Sequence, residues 1–375
     1  MLKIATVCTG IGAPEKALQL LGIPYELEFF SEIDLPAIRS YCAIHGEPRN
    51  KNFGDLTNID RKPLPTDLDL VVGGTPCQDF STSGLGKGGE EGSGTRSSLM
   101  WYYVRMISLA KPKVVVWENV AAVLSVKHVR TYRKFYYTLN ALGYRVHAQL
   151  LNAKYYNVPQ NRVRIILVGI RKDLQSDFEF PVGYDSGVRI RDVLQKTVSD
   201  KYFSKCFDDV TPYGRYYRKN AHCIQYYGRI KNTKFKQTNE FLYIDGITDC
   251  LTTKQGNYII DDRKPREKPI RHYTPSESLR FMGFEDKDYY KCRYVYFRNK
   301  RTGKKDRHNN VSELDIYAQA GNSIVVNVLM AVFGQLYGVP WERKVFGERY
   351  KTQRQLLYEL PLFTDLIEVD DEQRT

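Results

Sequence analysis

The opening of the chain constrains its fold most. Leu2 to Val7 is an apolar run of the kind that forms a buried strand, and it stops at Thr9-Gly10-Ile11-Gly12. A helix pattern follows from Ala13 to Leu21. Pro14 suits the first helical position, Glu15 suits the positive end of the helix dipole, and Ala17, Leu18 and Leu21 make an apolar stripe. The alternation continues. Tyr25 to Phe30 reads as a second strand ending at Ser31-Glu32-Ile33-Asp34, and Asn52-Phe53-Gly54-Asp55 puts another acid at a strand-to-loop corner. Asp69 to Val72, Lys113 to Trp117, Tyr144 to Leu151 and Arg164 to Ile170 read as further strands, with helices over Leu99 to Ala110 and Val129 to Leu142. Such alternation specifies an α/β fold built on a doubly wound, mostly parallel sheet, in which ligands bind outside the carboxyl ends of the strands. Glu32, Asp55, Cys77 and Glu118 all fall at such ends and are expected on one rim.

Beyond residue 184 the alternation dissolves into short strand candidates, such as Cys223 to Tyr227 and Phe241 to Ile244. This predicts a catalytic domain over 1–184, a smaller, irregular, β-rich domain over 185–312, and a return to the first domain over 313–375. In the last segment Gly321-Asn322-Ser323 leads into a helix reaching about Tyr337, and the acidic tail is expected to be disordered. Arg271 to Phe284 is expected to be helical from Pro275. The charge separates the same regions. The chain carries a formal +13, and Asp185 to Asn310 alone holds 28 Lys+Arg against 16 Asp+Glu, a net +12. Tyr213, Tyr216, Tyr217, Tyr226, Tyr227 and Tyr243 are interleaved with those cations, a composition suited to a polyanion with stacking bases. Seven widely spaced cysteines with no Cys-x-x-Cys argue against a disulfide framework and against a zinc or other metal site. No run of 18 apolar residues and no signal-peptide pattern is present, so an intracellular protein without a membrane span is expected.

Val71-Val72-Gly73-Gly74-Thr75-Pro76-Cys77-Gln78 sets one thiol between a strand end and a loop with six glycines from Gly84 to Gly94. The bare expectation for a cysteine is a small buried hydrophobe, but the flanking Pro and glycine loop favour exposure. Six motifs then occur in one order: Thr9-Gly10-Ile11-Gly12, Glu32-Ile33-Asp34, Pro76-Cys77-Gln78, Glu118-Asn119-Val120, Gln160-Asn161-Arg162-Val163-Arg164 and Gly321-Asn322-Ser323. In that series the chain resembles the DNA cytosine-5 methyltransferases of prokaryotes and their phages. Arg271 to Phe284 is similar to that family's helix containing Pro-x-Glu-x-x-Arg-x-x-Gly.

The resemblance implies a Rossmann-like methyltransferase fold that uses S-adenosylmethionine to methylate C5 of a flipped cytosine in double-stranded DNA, within a short recognition sequence. It makes Cys77 the nucleophile that adds to C6, and it places Glu118, Arg162 and Arg164 around the cytosine. The donor would be held by Thr9, Gly10, Ile11, Gly12, Glu32, Ile33, Asp55, Leu56, Pro76, Asn322 and Ser323. The family usually has an aromatic residue where this chain has Cys8, so that packing must be looser or come from elsewhere. DNA would be met by Gln78, Ser81, Ser83, Lys87, Arg96 and Asn119, with the glycine loop as a lid over the extruded base. The 185–312 region would read the target. The same reading implies a monomer acting in the cytoplasm on nucleoid DNA, with a cognate restriction endonuclease as a separate partner. Two alternatives stand beside it. One is a tRNA cytosine-5 methyltransferase, whose Cys-Phe-Thr signature is met only by Lys205-Cys206-Phe207-Asp208. The other is a catalytically inactive DNA-binding relative, against which the intact Cys77, Glu118 and Arg164 argue.

Overall fold

The apolar runs of the first part of the chain assemble into one six-stranded sheet. In the computed structural model, residues 1–80, 87–203, 210–219, 224–231, 239–255, 258–263, 269–298 and 305–351 are described. Ser81, Ser83, Gly84 to Gly86, Cys206 and the acidic tail lie outside them. The strands are β1 (Leu2–Val7), β2 (Tyr25–Ser31), β3 (Leu70–Gly73), β4 (Val114–Val120), β5 (Tyr144–Asn152), the two-residue β6 (Gln160–Asn161) and β7 (Val163–Arg171). The sheet order is β2-β1-β3-β4-β7-β5. Helices α1 (Ala13–Leu21), α2 (Leu35–His45), α3 (Leu99–Ala110) and α4 (Val129–Ala141) connect them.

Side chains alternate across this sheet and bury two cores. Ile4, Val72, Val116 and Ile166 face one way and pack with α1, while Val7, Val71, Trp117 and Leu167 face α3 and α4. The sheet is mostly parallel, as expected, and the exception is β7, which runs antiparallel to both β4 and β5. Only ten residues join Asn152 to Val163, too few for the helical crossover that a parallel strand needs. The reversal matters for the site. It brings the beginning of β7 beside the end of β4, pairing Arg164 with Val120.

The second part of the chain forms a five-stranded sheet, ordered β13-β12-β10-β9-β8. It comprises β8 (Val210–Lys219), β9 (Ile224–Ile230), β10 (Glu240–Tyr243), β12 (Tyr258–Ile260) and β13 (Ile270–His272). A one-turn helix α5 (Ile190–Val193) precedes it. The short β11 (Thr248–Asp249) leaves this sheet to pair with β6, so the two regions share a strand pair. Arg271, fully buried, bonds to Asp261 Oδ2 (2.7 Å) and to both oxygens of Glu277 (2.8 and 2.9 Å).

The expected helix from Pro275 is present but short: α6 (Pro275–Arg280) has a capping box of Thr274 and Glu277 and ends before Gly283. Helix α7 (Asp286–Arg293) packs on α2, and buried Lys16 of α1 reaches its Asp288 at 2.8 Å. A ribbon of β14 (Tyr294–Arg298) and β15 (Lys305–Asn309) precedes α8 (Glu313–Asn322). Next come α9 (Val326–Tyr337), which packs on α1, and the short α10 (Glu342–Phe346). The stretch Glu313–Tyr337 is apolar enough to cross a membrane, but it is broken between α8 and α9 and most of it is buried in the fold.

Candidate active site

The carboxyl ends of β1 to β4 and the start of β7 open onto one cavity of about 630 Å³. Each strand end contributes in a different way. After β1, Cys8 and Gly10 adopt left-handed backbone (φ 49° and 58°), which turns the Gly10 N–H toward Glu32, where Oε2 accepts it at 2.8 Å. Glu32 Oε1 accepts from the N–H groups of Ile33 (2.8 Å) and Asp34 (3.0 Å), so its carboxylate is locked at the end of β2. Gly12 (φ 78°) is obligatory for a steric reason as well: a Cβ there would lie 2.2 Å from His45 Nε2. That ring nitrogen sits 2.9 Å from the Ile11 carbonyl, and burial lowers His45 to about 4, which leaves it a neutral donor. Asp55 follows Gly54 and takes the Thr57 N–H at 2.9 Å.

The Cys77 loop is held from beneath. Trp117 Nε1 donates to Thr75 Oγ1 (2.8 Å), Asn119 Nδ2 donates to Thr75 O (3.0 Å), and Phe80 N donates to Cys77 O (3.0 Å). Cys77 is half-buried at the cavity wall, facing Glu118 and Arg164. Burial pushes its thiol above the ordinary value and the Glu118 carboxylate adds to that push, while Arg164 and Arg162 oppose it. Glu118 is itself raised by burial, against the pull of Arg164 and Arg162. Arg164 Nε lies 3.1 Å from Glu118 Oε1, a charge contact without the alignment of a hydrogen bond. One loosely aligned cation does not repay the desolvation of a buried carboxylate, so the acid leans toward its neutral form.

Arg162 has a different task. Its Nη2 donates to Gly321 O (3.0 Å) and Ser323 O (2.7 Å), taking carbonyls left open where α8 stops, and its Nη1 reaches Leu251 O (3.3 Å). Gln160 makes the companion link, with Oε1 accepting from Leu251 N (2.9 Å) and Nε2 donating to Phe281 O (2.9 Å). Gly321 completes the join, because a Cβ there would meet Thr252 O at 2.2 Å.

Of the residues expected at the site, Gly10, Glu32, Ile33, Asp55, Leu56, Pro76, Cys77, Gln78, Arg96, Glu118, Arg162, Arg164 and Asn322 line this cavity. Thr9 and Ser323 instead line a small recess behind it, beside Cys8 and Gly74. Ile11, expected among the residues that hold the donor, turns its side chain into the core of the sheet's first layer, which leaves its backbone for that role, and Gly12 faces His45. The expectation for Asn119 is corrected: its side chain is fully buried and spent on Thr75 and Val120, so it supports the Cys77 loop and does not face DNA. Lys87 is exposed and does not line the cavity.

The glycine loop, expected to act as a lid, is anchored in its described second half. Gly88 N donates to Asp79 O (2.9 Å), Thr95 Oγ1 to Gly88 O (2.9 Å) and Trp101 Nε1 to Gly89 O (2.8 Å).

Sequence reading missed Asp315, Ala318 and Gln319, which line the cavity from α8 together with Asn322. Their 3–4 residue spacing was the available signal. Cys250 was missed too, and nothing local marks it. Among the described residues no cluster of His, Cys, Asp and Glu suited to a metal ion is found.

Comparison with known proteins identifies the family. A family model described as C-5 cytosine-specific DNA methylase matches residues 2–338. The chain is 42% identical over 195 residues to the orphan methyltransferase M.SPRI of Bacillus phage SPR, covering 52% of this chain and 43% of that protein. It is 33% identical over 301 residues to the orphan methyltransferase M.Rho11sI of Bacillus phage rho11s, covering 68% and 58%. The chain thus spans about half the length of these two phage relatives. The type II methyltransferase M2.ScrFI of Lactococcus lactis subsp. cremoris is 29% identical, with 90% of this chain and 99% of that protein covered. Among solved structures, the Entamoeba histolytica methyltransferase EhMeth superposes with a TM-score of 0.63 at 16% identity, covering 90% and 98%. The S. pombe Dnmt2 methyltransferase gives 0.59 at 17%, covering 90% and 99%. At that identity the structural likeness speaks for the fold.

Proposed function

Since the chain belongs to the C-5 cytosine-specific DNA methylase family, we propose that it methylates C5 of cytosine in double-stranded DNA, with Cys77 as a covalent nucleophile toward a base flipped out of the duplex. The observation that carries this reading is the meeting of Cys77, Glu118 and Arg164 in one cavity with Gly10, Glu32 and Asp55. The residues present fit S-adenosylmethionine. Nothing lies within 4 Å of where a Gly10 Cβ would be, so a ligand can approach that backbone, and Glu32 and Asp55 offer carboxylates to hydroxyl and amine groups. When bound, this donor supplies the methyl group that C5 takes up.

The chain's own part is a proton problem. C5 becomes nucleophilic only after sulfur adds to C6, and a thiol raised above its ordinary value does not ionise readily at neutral pH. Glu118 has the complementary fault, a carboxyl that favours its proton. The two titrations therefore help each other. Once Glu118 is neutral, the carboxylate charge opposing the Cys77 thiolate is gone and Arg164 no longer shares its charge with Glu118. The neutral acid is then able to donate to N3 of cytosine as the S–C6 bond forms. Transfer of the C5 proton to water afterwards lets the S–C6 bond break, which returns Cys77 as thiolate, and the N3 proton goes back to Glu118. Extrusion of the base is needed because neither atom is reachable inside a stacked duplex.

The basic, tyrosine-containing region around the second sheet is proposed to hold and read the DNA, with the chain acting as a monomer. DNA from cells expressing the protein is expected to contain 5-methylcytosine in one short sequence context, and Cys77→Ser to abolish it. Unmodified DNA beside methylated tRNA would overturn the substrate. A failure of active protein to be trapped on 5-fluorocytosine DNA would overturn the covalent route.

A further inference from the structure

Arg164 stands between two acidic groups that come from different sheets. On one side is Glu118, 3.1 Å from its Nε; on the other is the sulfur of Cys250, 3.5 Å from its Nη2. The same sulfur lies 3.3 Å from Arg162 Nη1. The contact is built, not incidental, since the chain on both sides of Cys250 is fixed. β11 pairs Thr248 with Gln160 and Asp249 with Asn161, and Leu251 is bonded through its N–H to Gln160 and through its carbonyl to Arg162. A guanidinium carries a single charge, and charge neutralised by one partner is weakened toward the next.

We propose that Cys250 is a positioning residue for the methyl-transfer site, sharing the charge of Arg162 and Arg164 with Glu118 and so setting the field at Cys77. The proposal rests on the reading of Cys77 as the nucleophile. The ionisable groups facing this cluster are Glu118 from β4, Cys77 from the loop after β3, Arg162 and Arg164 at the start of β7, and Cys250 after β11. Cys8, the other thiol of the cavity wall, faces Glu32 and Asp55 instead. Burial lifts the Cys250 thiol, but Arg162 and Arg164 outweigh it and hold it below the ordinary range, whereas Cys77 is held above. An ionised Cys250 takes up arginine charge that Cys77 would otherwise feel. Because Cys250 follows β11, which pairs with β6, any displacement of that strand pair changes the division.

The test is the pH profile of Cys77 alkylation by iodoacetamide, read by peptide mass spectrometry on the full chain without DNA or donor. Cys250→Ser is expected to shift the midpoint down by about one unit, making Cys77 react about tenfold faster at neutral pH, while Cys250→Asp keeps the wild-type midpoint. Profiles that coincide in all three proteins overturn the proposal, as does an equal shift in Ser and Asp variants, which would indicate a steric role. Should Cys250→Ser not fold, ultraviolet thiolate titration of Cys77→Ala decides: a thiol that ionises below the ordinary cysteine range supports the proposal and the absence of one overturns it. None of these readouts depends on the nucleic acid, so a failed methylation assay and a failed charge-sharing model are distinguishable.

Discussion

Each of the two regions buries a carboxylate against arginine, with opposite results. Glu118, at the end of β4, has one cation at 3.1 Å in poor alignment, and burial wins: its carboxyl is raised. Asp261, beside the second sheet, is also desolvated, yet Arg263 (2.7 Å to each oxygen) and Arg271 (2.7 Å) outweigh burial and hold it below the ordinary range. The residue chemistry is the same and the hydrogen-bond geometry differs. A fully bonded ion pair is structural, because nothing is left over to react. An underbonded one is left to the pull of burial, which moves its titration upward from the ordinary carboxylate range.

The contrast is open to direct attack. Glu118→Gln is expected to cut the methylation rate by roughly 10²- to 10⁴-fold, measured as methyl incorporation into DNA. Its stability should not fall. A carboxyl raised in the folded state binds protons there that the unfolded chain has released, so it costs stability as pH rises above about 4.3. The unfolding temperature of Glu118→Gln relative to wild type should therefore climb from acid to neutral pH.

Asp261→Asn should do the reverse, destabilising the protein by about 3–5 kcal/mol by stripping two arginines of a buried partner, with the lower end favoured because Arg271 retains Glu277. That deficit is present above about pH 3.9 and disappears as pH falls through the depressed folded value. Equal pH trends in the two variants would erase the distinction. The smallest effect probes the join between the regions. Gln160→Leu leaves Leu251 N and Phe281 O without their partner and is expected to cost about 1–3 kcal/mol, with faster amide hydrogen exchange at Leu251 as the local readout.

Much of this was readable from residue types. Gly10, Glu32, Cys77 and Glu118 each come after an apolar run, and such a run announces both the strand and its rim, whereas Asp55, expected at a strand corner, caps a short 3-10 turn with no strand of its own before it. Strand direction is not announced in that way. Arg164 reaches the cavity only because β7 is reversed, and the reversal follows from the length of a connection, not from the strand's own residues. Asn119 was misjudged although the signal existed: in β4 residues 118 and 120 share a face, so 119 must turn to the other. Cys250 had no local signal, since its partners lie nearly ninety positions away in sequence and meet it only through the pairing of β11 with β6.

The packing of α9 on α1 carries a consequence for how the protein is made. Val326 and the run Val328 to Gly334 are buried, and they cover the face of the first sheet that α1 leaves incomplete. While the ribosome is still translating the second sheet, that face is bare, and the strands already synthesised present apolar surface to the cell. Commitment of the whole molecule waits for a twelve-residue helix that is made only after the second sheet. A premature stop before it would leave Cys77, Glu118 and Arg164 encoded while the sheet that carries them stays uncovered on one face.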